Sequence, residues 1–404
     1  MTYAAVPALR HCPELSAQWE PGLCSRVYDP GSGAPASKQG LLAGMSMTEK
    51  QGGSDVRANT TTAAPVDGGA YRLVGHKWFT SAPMNDVFLT LAYAPAGLTC
   101  FAVPRVLPDG TRNGIRLQRL KNKLGNRANA SAEIEYDGTL GWAVGAEGIP
   151  AIIEMVTMTR LDCVLGSAAI MRIALTEAAH HAAHRRAFGA RLADQPLMRA
   201  VLADLAAESE ASTRLGLRLA GAADRRATPS EAALLRLALP VSKYLVCKRT
   251  ASMVAEAQEV LGGNGFVEES GMPRLYREAP LNSIWEGSGN VTALDCLRAI
   301  EREPESVEAL LDEVDAALGA HPVLDRAARA LRTELRAPDQ RRARRLAELA
   351  GMCLQGSLLV RHAPIAVAEV FFASRVEGMW RTSGTSSASD VNCAEVLARV
   401  TPQL

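Results

Sequence analysis

The spacing of apolar residues changes three times along the chain, and each change predicts a different kind of structure. Residues 1–38 are mixed and Pro-rich, with too little apolar sequence to build a core alone. Over residues 39–146 short apolar runs are broken at close intervals by Gly, Pro and Asp. Tyr71–Val74 leads into Gly75–Phe79, and Val87–Tyr93 and Leu98–Val103 follow. Ala132–Tyr136 then alternates and is expected to stop at Asp137-Gly138. This pattern predicts short strands in an antiparallel barrel or sandwich. Over 147–302 apolar residues recur at helical spacing, as in Ala151–His184 and Gln195–Ala223, with breaks near Gly262 and Pro273. A second helical block is expected over 303–404, with a low-complexity stretch at Ser383–Ser389. The class implied is α+β, in several domains.

Composition narrows the chemistry. At 404 residues and 48% hydrophobic, the chain is long enough for more than one buried core. A formal net charge of +1 directs it to neither nucleic acid nor membrane as a whole, so any basic site must arise from local clustering. Its 8 cysteines form no CxxC pair, which argues against a structural zinc site and a dense disulfide framework, and a reducing cytoplasm is expected. No apolar run reaches transmembrane length, and Met1–Pro7 lacks the pattern of a signal peptide. His180, His181 and His184 cluster on one predicted helix without a further ligand in view, so no metal is expected.

Four stretches carry candidate chemistry. Met47–Asp55 holds paired glycines flanked by hydroxyl side chains, which leaves backbone N–H groups free for an anionic or polar ligand, or else makes a tight surface loop. Lys77-Trp78-Phe79-Thr80-Ser81 sets a Trp beside two hydroxyls, suited to covering a flat heteroaromatic ring and bonding its edge, or to a core strand. Glu259–Phe266 is glycine-rich and precedes Arg274 and Glu278. Ser283–Asn290 places Glu286 on a glycine-flanked turn, where a carboxylate can project into a cleft as a base or lie exposed in a loop.

In this order and at these separations, the four stretches resemble the acyl-CoA dehydrogenase family over residues 40–302. Gly44–Asp55, Lys77–Ser81, Leu120–Arg127 and Ile284–Asn290 look like its AidB-type, alkylation-response branch, and the helical block after residue 302 fits that branch as well. The resemblance implies a β domain over 39–146, a four-helix-bundle domain over 147–302 and an extra C-terminal helical domain over 303–404. Residues 1–38 would be the remnant of an N-terminal helical domain that is much longer in the family. Met1–Ala5 resembles an internal position of the branch, so a shortened first domain is expected.

The resemblance further implies FAD. The Met47 backbone and the Thr48 hydroxyl would bond the flavin pyrimidine edge, and Gly53 and Ser54 the pyrophosphate. Trp78 would lie against the ring system, with Thr80 reaching N5 and Ser81 sharing that role. Arg185, with Phe188 and Gly189 of an RxxFG pattern, would hold the pyrophosphate of a neighbouring subunit in a homotetramer. Gln195 would lie close to the cofactor. Gly262 and Gly263 would admit the adenosine half, and Ser288 and Asn290 would bind the ADP portion. Glu286 matches the catalytic base, which would take the pro-R α-proton of an acyl thioester while the β-hydride passes to flavin N5. Two departures from the family, Glu259 for a Gln and Gln51 for a small residue, fit the AidB-type branch better than the fatty-acid enzymes.

Three functions remain open at this level. One is an AidB-like FAD flavoprotein that protects DNA in the adaptive response to alkylation, with weak acyl-CoA dehydrogenase activity. The second is an acyl-CoA dehydrogenase of short or branched substrates. The third is a non-catalytic, flavin-stabilised DNA-binding protein. For DNA the candidates are Arg326, Arg329, Arg332 and Arg336, which recur at helical steps, and Arg341, Arg342, Arg344 and Arg345 beyond Pro338. The branch resemblance links this block to double-stranded DNA. Against it stand the acids Glu303–Asp315, which bring the block close to neutrality, and the suitability of Arg for subunit interfaces.

Overall fold

The computed structural model describes residues 1–145, 148–377, 383 and 390–400. The low-complexity stretch lies, apart from Ser383, outside the described residues. The chain divides into two compact units, Met1–Thr159 and Arg160–Leu404.

The first unit opens with α1 (Thr2–Leu9) and α2 (Pro13–Leu23). Pro13 begins α2, where its missing N–H is no loss and its fixed φ suits a helix. Leu9, Leu15, Trp19 and Leu23 are buried, and Leu41 N–H donates to the Gly22 carbonyl at 2.9 Å, docking α2 on the chain that enters the first strand. Seven strands follow: β1 (Ala43–Thr48), β2 (Thr62–Pro65), β3 (Ala70–Ser81), β4 (Val87–Ala94), β5 (Gly97–Pro104), β6 (Ile115–Leu120) and β7 (Ser131–Ala143). The pairs β1–β4, β4–β5, β5–β7, β7–β3 and β3–β1 close a ring, while β2 pairs with β3 and β4, and β6 flanks β7. The β1–β4 and β2–β4 pairs are parallel and the rest antiparallel. Closure leaves one set of side chains inward: Leu73, Phe101, Val103, Ala132, Ile134 and Tyr136 form the core.

The strand expected to stop at Asp137-Gly138 runs on to Ala143. Gly138 has φ 69°, and the register against β3 slips there, from Leu73↔Thr139 to Val74↔Asp137. The glycine is a bulge that bends β7 rather than a turn that ends it.

The second unit is helical. Helix α3 (Gly148–His184) enters it and leads to the short strands β8 (Arg186–Ala187) and β9 (Ala190–Arg191). Then come α4 (Pro196–Asp224), α5 (Pro229–Val260), α6 (Met272–Glu278), α7 (Gly289–Arg302), α8 (Pro304–Asp315), α9 (Pro322–Arg336), α10 (Ala343–His362), α11 (Ile365–Phe371) and α12 (Asp390–Ala398). Proline opens α4, α5, α8 and α9. Helix α8 packs on α5, and α10 on α4, α5 and α7, so the helices after residue 302 share one unit with those before it.

A buried charge network runs between these helices. Arg249 of α5 donates to Glu208 of α4 at 3.1 Å. Arg375, on a π-helical turn at Phe372–Val376, reaches Glu208 at 2.6 Å and Asp204 at 2.5 Å. Burial alone would raise the Glu208 carboxyl, but Arg249 and Arg375 outweigh it and hold it low. Among the described residues no helix is long and apolar enough to cross a membrane.

Candidate functional site

In the first unit the loop after Thr48 is tied down by one buried carboxylate. Glu49 is 0% exposed, and every neighbour that reaches it is a donor. Thr60 N–H (2.7 Å), Thr60 Oγ1 (2.9 Å) and Gln51 Nε2 (2.9 Å) bond Oε2. Thr61 Oγ1 (2.6 Å), Thr61 N–H (3.2 Å) and Lys77 Nζ (2.9 Å) bond Oε1. Lys77, also 0% exposed, places a further bond on the Leu91 carbonyl at 2.8 Å. Burial alone would raise the Glu49 carboxyl, yet these bonds hold it well below the usual carboxylate range. Lys77 faces the barrel interior because it follows Leu73 on the buried side of β3, a phase that leaves Trp78 on the other side, half-buried.

The pairs Ser46↔Thr80 and Thr48↔Phe79 set Met47 and Thr48 beside Trp78 and Thr80. The Met47 carbonyl accepts from Asn59 Nδ2 at 3.2 Å. The Thr48 hydroxyl crowds the position a Cβ on Gly53 would take, so a side chain there would displace Thr48. Gly53 and Ser54 are exposed. Thr80 is buried with its hydroxyl 2.6 Å from Ser46 Oγ, and Ser81 is half-buried. One face of Trp78 carries a cation: Lys121 Nζ is 3.3 Å from the ring centroid, with Lys50 and Arg119 at 5.7 and 5.8 Å. Glu133 Oε1 accepts from Arg119 at 2.7 Å and Lys121 at 2.6 Å, and these two bonds hold the carboxyl down at about 2.

In the second unit Glu286 sits on a turn that only outside forces maintain. Its φ is 57° and that of Gly287 is 99°. A left-handed non-glycine residue costs on the order of 1–3 kcal/mol and persists only where its surroundings over-determine it. Here they do. Arg160 Nε donates to the Glu286 carbonyl at 3.0 Å, and Lys243 Nζ donates to the Trp285 carbonyl at 2.8 Å and to the Gly287 carbonyl. Arg160 is itself fixed by Asp295 at 2.6 Å. The Trp285 indole N–H donates to Asn282 at 2.8 Å, and the Asn282 amide reaches Ser167 at 3.0 Å. Three consecutive carbonyls are thus held from behind by two cations. Burial pushes the Lys243 ammonium below its ordinary value. Sequence reading missed Arg160, Lys243 and Asn282. The available signal was a lone cation inside each of two apolar helical runs, Met155–Leu165 and Leu237–Cys247.

The remaining expected residues fall on three features of this unit. Phe188 (φ 51°) and Gly189 (φ 82°) form the tip of the β8–β9 hairpin, where consecutive positive φ values match the strand twist. Phe188 is 96% exposed there. Arg185 lies just before the hairpin, and Gln195, at the start of α4, donates to the Ala187 carbonyl at 3.3 Å. Gly262 and Gly263 open a tight turn after α5, and neither has an atom within 4 Å of a built Cβ. Ser288 precedes the first turn of α7 without capping it by its side chain, and Asn290 is exposed in that turn.

The C-terminal arginines are largely engaged. Arg326 pairs with Glu377, Arg332 with Asp315, Arg341 with Asp339, and Arg342 and Arg345 with Glu334. Arg344 donates to the Tyr244 hydroxyl at 3.0 Å. Arg329 and Arg336 are exposed on α9, with no acid partner among the described residues.

Comparison with known proteins bears on all these regions. Residues 44–139 match the acyl-CoA dehydrogenase middle domain, residues 146–301 its C-terminal domain, and residues 1–30 the N-terminal domain of the adaptive response protein AidB. The chain is 48% identical over 374 residues to the acyl-CoA dehydrogenase-type protein AidB of Escherichia coli (strain K12), covering 92% of this chain and 69% of AidB. It superimposes on Caenorhabditis elegans ACDH-11, solved in complex with C11-CoA, with a TM-score of 0.80 at 29% identity, over 99% of this chain and 70% of that one. An acyl-CoA dehydrogenase from Bacillus anthracis, solved in complex with FAD, shares the fold at a TM-score of 0.68 and 19% identity, over 89% of this chain and 67% of that one. The chain therefore belongs to the acyl-CoA dehydrogenase family, in its AidB-like branch.

Proposed function

We propose that the protein is a FAD-dependent CH–CH oxidoreductase of acyl thioesters, with Glu286 as its base. The observation that carries this is the Glu286 turn: a left-handed carboxylate-bearing residue whose flanking carbonyls are gripped by Arg160 and Lys243. Strain maintained at this expense by two cations points to a positioned functional group.

The residues present fit FAD on several counts. Open space faces Gly52, Gly262 and Gly263, where a backbone can approach a ligand closely. The N-terminus of α7 offers free backbone N–H groups beside Ser288 and Asn290, which favours a phosphate. Trp78 offers an aromatic plane, with Met47 and Thr48 on the paired strand. Arg185, Phe188, Gly189 and Gln195 would serve the cofactor of a neighbouring subunit, and the exposed Phe188 supports a homo-oligomer. FAD, when bound, would supply the acceptor for the hydride. Glu286 would take the proton from the carbon α to the thioester carbonyl on its carboxylate oxygen. Arg160 and Lys243 would hold that oxygen in reach without touching the substrate. An acyl-CoA ligand in ACDH-11 supports the substrate class.

A part in the adaptive response belongs to the same proposal. It rests on the relation to AidB, with Arg329 and Arg336 as the cations free to meet DNA phosphates.

The test is anaerobic titration of the full, FAD-loaded chain with C11-CoA, following loss of flavin absorbance. Removing a general base costs about 10²–10⁴ in rate, so Glu286→Gln should slow bleaching by that factor at equal FAD content. Equal bleaching by both proteins, or a preparation that takes up no flavin, overturns the reading.

A further inference from the structure

Away from the Glu286 turn, the second unit holds a cleft of about 510 Å³, walled by α3, α4 and the residues that follow α12. This lies within the range of small-molecule sites, roughly 300–1,000 Å³. Arg172, Arg214 and Arg399 line it together with one carboxylate, Glu210. Three cations and one anion leave a formal charge of plus two.

Glu210 does not neutralise the cleft so much as orient it. Arg214 spends Nε and Nη2 on Glu210, at 3.0 and 2.6 Å. Arg399 likewise spends Nε and Nη2, at 3.2 and 2.8 Å. Each guanidinium is fixed in plane and keeps its Nη1 donors uncommitted to that carboxylate. Arg172 is exposed, with no ion-pair partner among the described residues. Ser209 lies behind this lining, 1% exposed, its Oγ shut off from solvent and without a hydrogen-bond partner among the described residues. Thr213 spends its own proton on the Ser209 carbonyl at 2.8 Å, so it presents lone pairs. Leu217, 62% exposed, and Val400 supply an apolar wall.

We infer that this cleft binds a small phosphate monoester bearing an apolar group. The dianion matches the charge of plus two, and its oxygens accept from Arg172 and from the outer edges of Arg214 and Arg399. Guanidinium forks suit phosphate oxygens in pairs. The apolar group covers Leu217 and Val400. Metal ions are disfavoured by the same charge. The site is separate from Glu286 and from every residue assigned to FAD above.

Isothermal titration calorimetry on the full, FAD-loaded chain tests this, in a phosphate-free buffer, with phenyl phosphate as the probe and inorganic phosphate and phenol as comparison arms. Phenyl phosphate should bind saturably and more tightly than either comparison. A charge-assisted hydrogen bond lost from Arg172→Gln should weaken it about tenfold or more. FAD content and thermal stability should stay unchanged in Arg172→Gln, since Arg172 is exposed. No saturable heat with phenyl phosphate overturns the proposal. So does equal affinity in Arg172→Gln, or inorganic phosphate or phenol binding as tightly as phenyl phosphate.

Discussion

The Glu49–Lys77 pair makes an asymmetric prediction. Both side chains are 0% exposed, but they are not equally dependent on one another. In Lys77→Met the carboxylate keeps five donors, from Gln51, Thr60 and Thr61, and loses one charged hydrogen bond. That is worth about 1.5–3 kcal/mol. In Glu49→Gln the damage is of two kinds. Whichever way the amide lies, its NH₂ group meets three donors, and Lys77 is left buried without a counter-charge. Breaking a buried pair from that side costs about 3–5 kcal/mol. Glu49→Gln should therefore open the barrel more readily than Lys77→Met, and the double variant should lose less than the sum, the two residues being coupled by about 0.5–3 kcal/mol. Hydrogen exchange of β3 and β4 peptides in a urea series, read by mass spectrometry, reports this unit apart from the helical one. Lys77→Met losing as much protection as Glu49→Gln would refute the reasoning. The sign with pH is also fixed. Because Glu49 is held well below its unfolded value, its contribution is present above the ordinary carboxylate range and is lost only in strong acid.

Three further outcomes follow from other parts of the molecule. Arg160→Gln and Lys243→Met should each slow C11-CoA bleaching by about tenfold to a hundredfold, the scale of a small misplacement of a catalytic group, while FAD content stays constant. A matching loss of FAD would instead mark them as structural. Glu133 titrates at about 2 in the fold, below its unfolded value, so its grip on Lys121 persists through mild acid and is lost as pH falls through about 2. The fluorescence difference between the parent chain and Trp78→Phe should change in that window, and a change near the ordinary carboxylate value would contradict the Arg119–Glu133–Lys121 cluster. Reversing Arg329 and Arg336 to Glu should weaken DNA binding and flatten its dependence on log salt by roughly 0.9 for each phosphate no longer neutralised. An unchanged slope removes these two residues from the DNA reading.

What was legible in the sequence was periodicity and local turn chemistry. The β3, β4 and β5 segments stood out because alternation and turn residues are local signals, and α3 and α4 because their apolar residues recur on one stripe. Gly138 misled for the same reason: a glycine after Asp reads as a turn, and only the partner strand reveals a bulge. At the site, Glu286 was visible from its flanking glycine, whereas its supports were not. Arg160 lies 126 residues from Glu286, and Lys243 lies 42 residues from Trp285, so the grip exists only after folding. The arginine repeat on α9 was read correctly as a helical face, but its acid partners Asp315 and Glu377 come from elsewhere in the chain, and spacing could not supply them.

Arg375 carries a consequence for how such a chain can be dismantled. Cutting the polypeptide after α7 would strip Asp204 and Glu208 of this counter-charge and leave Glu208 with Arg249 as its cation. The stretch from α8 onward is therefore no detachable appendage of the helices before it. A laboratory attempt to transplant it onto a shorter relative would have to carry those acids along.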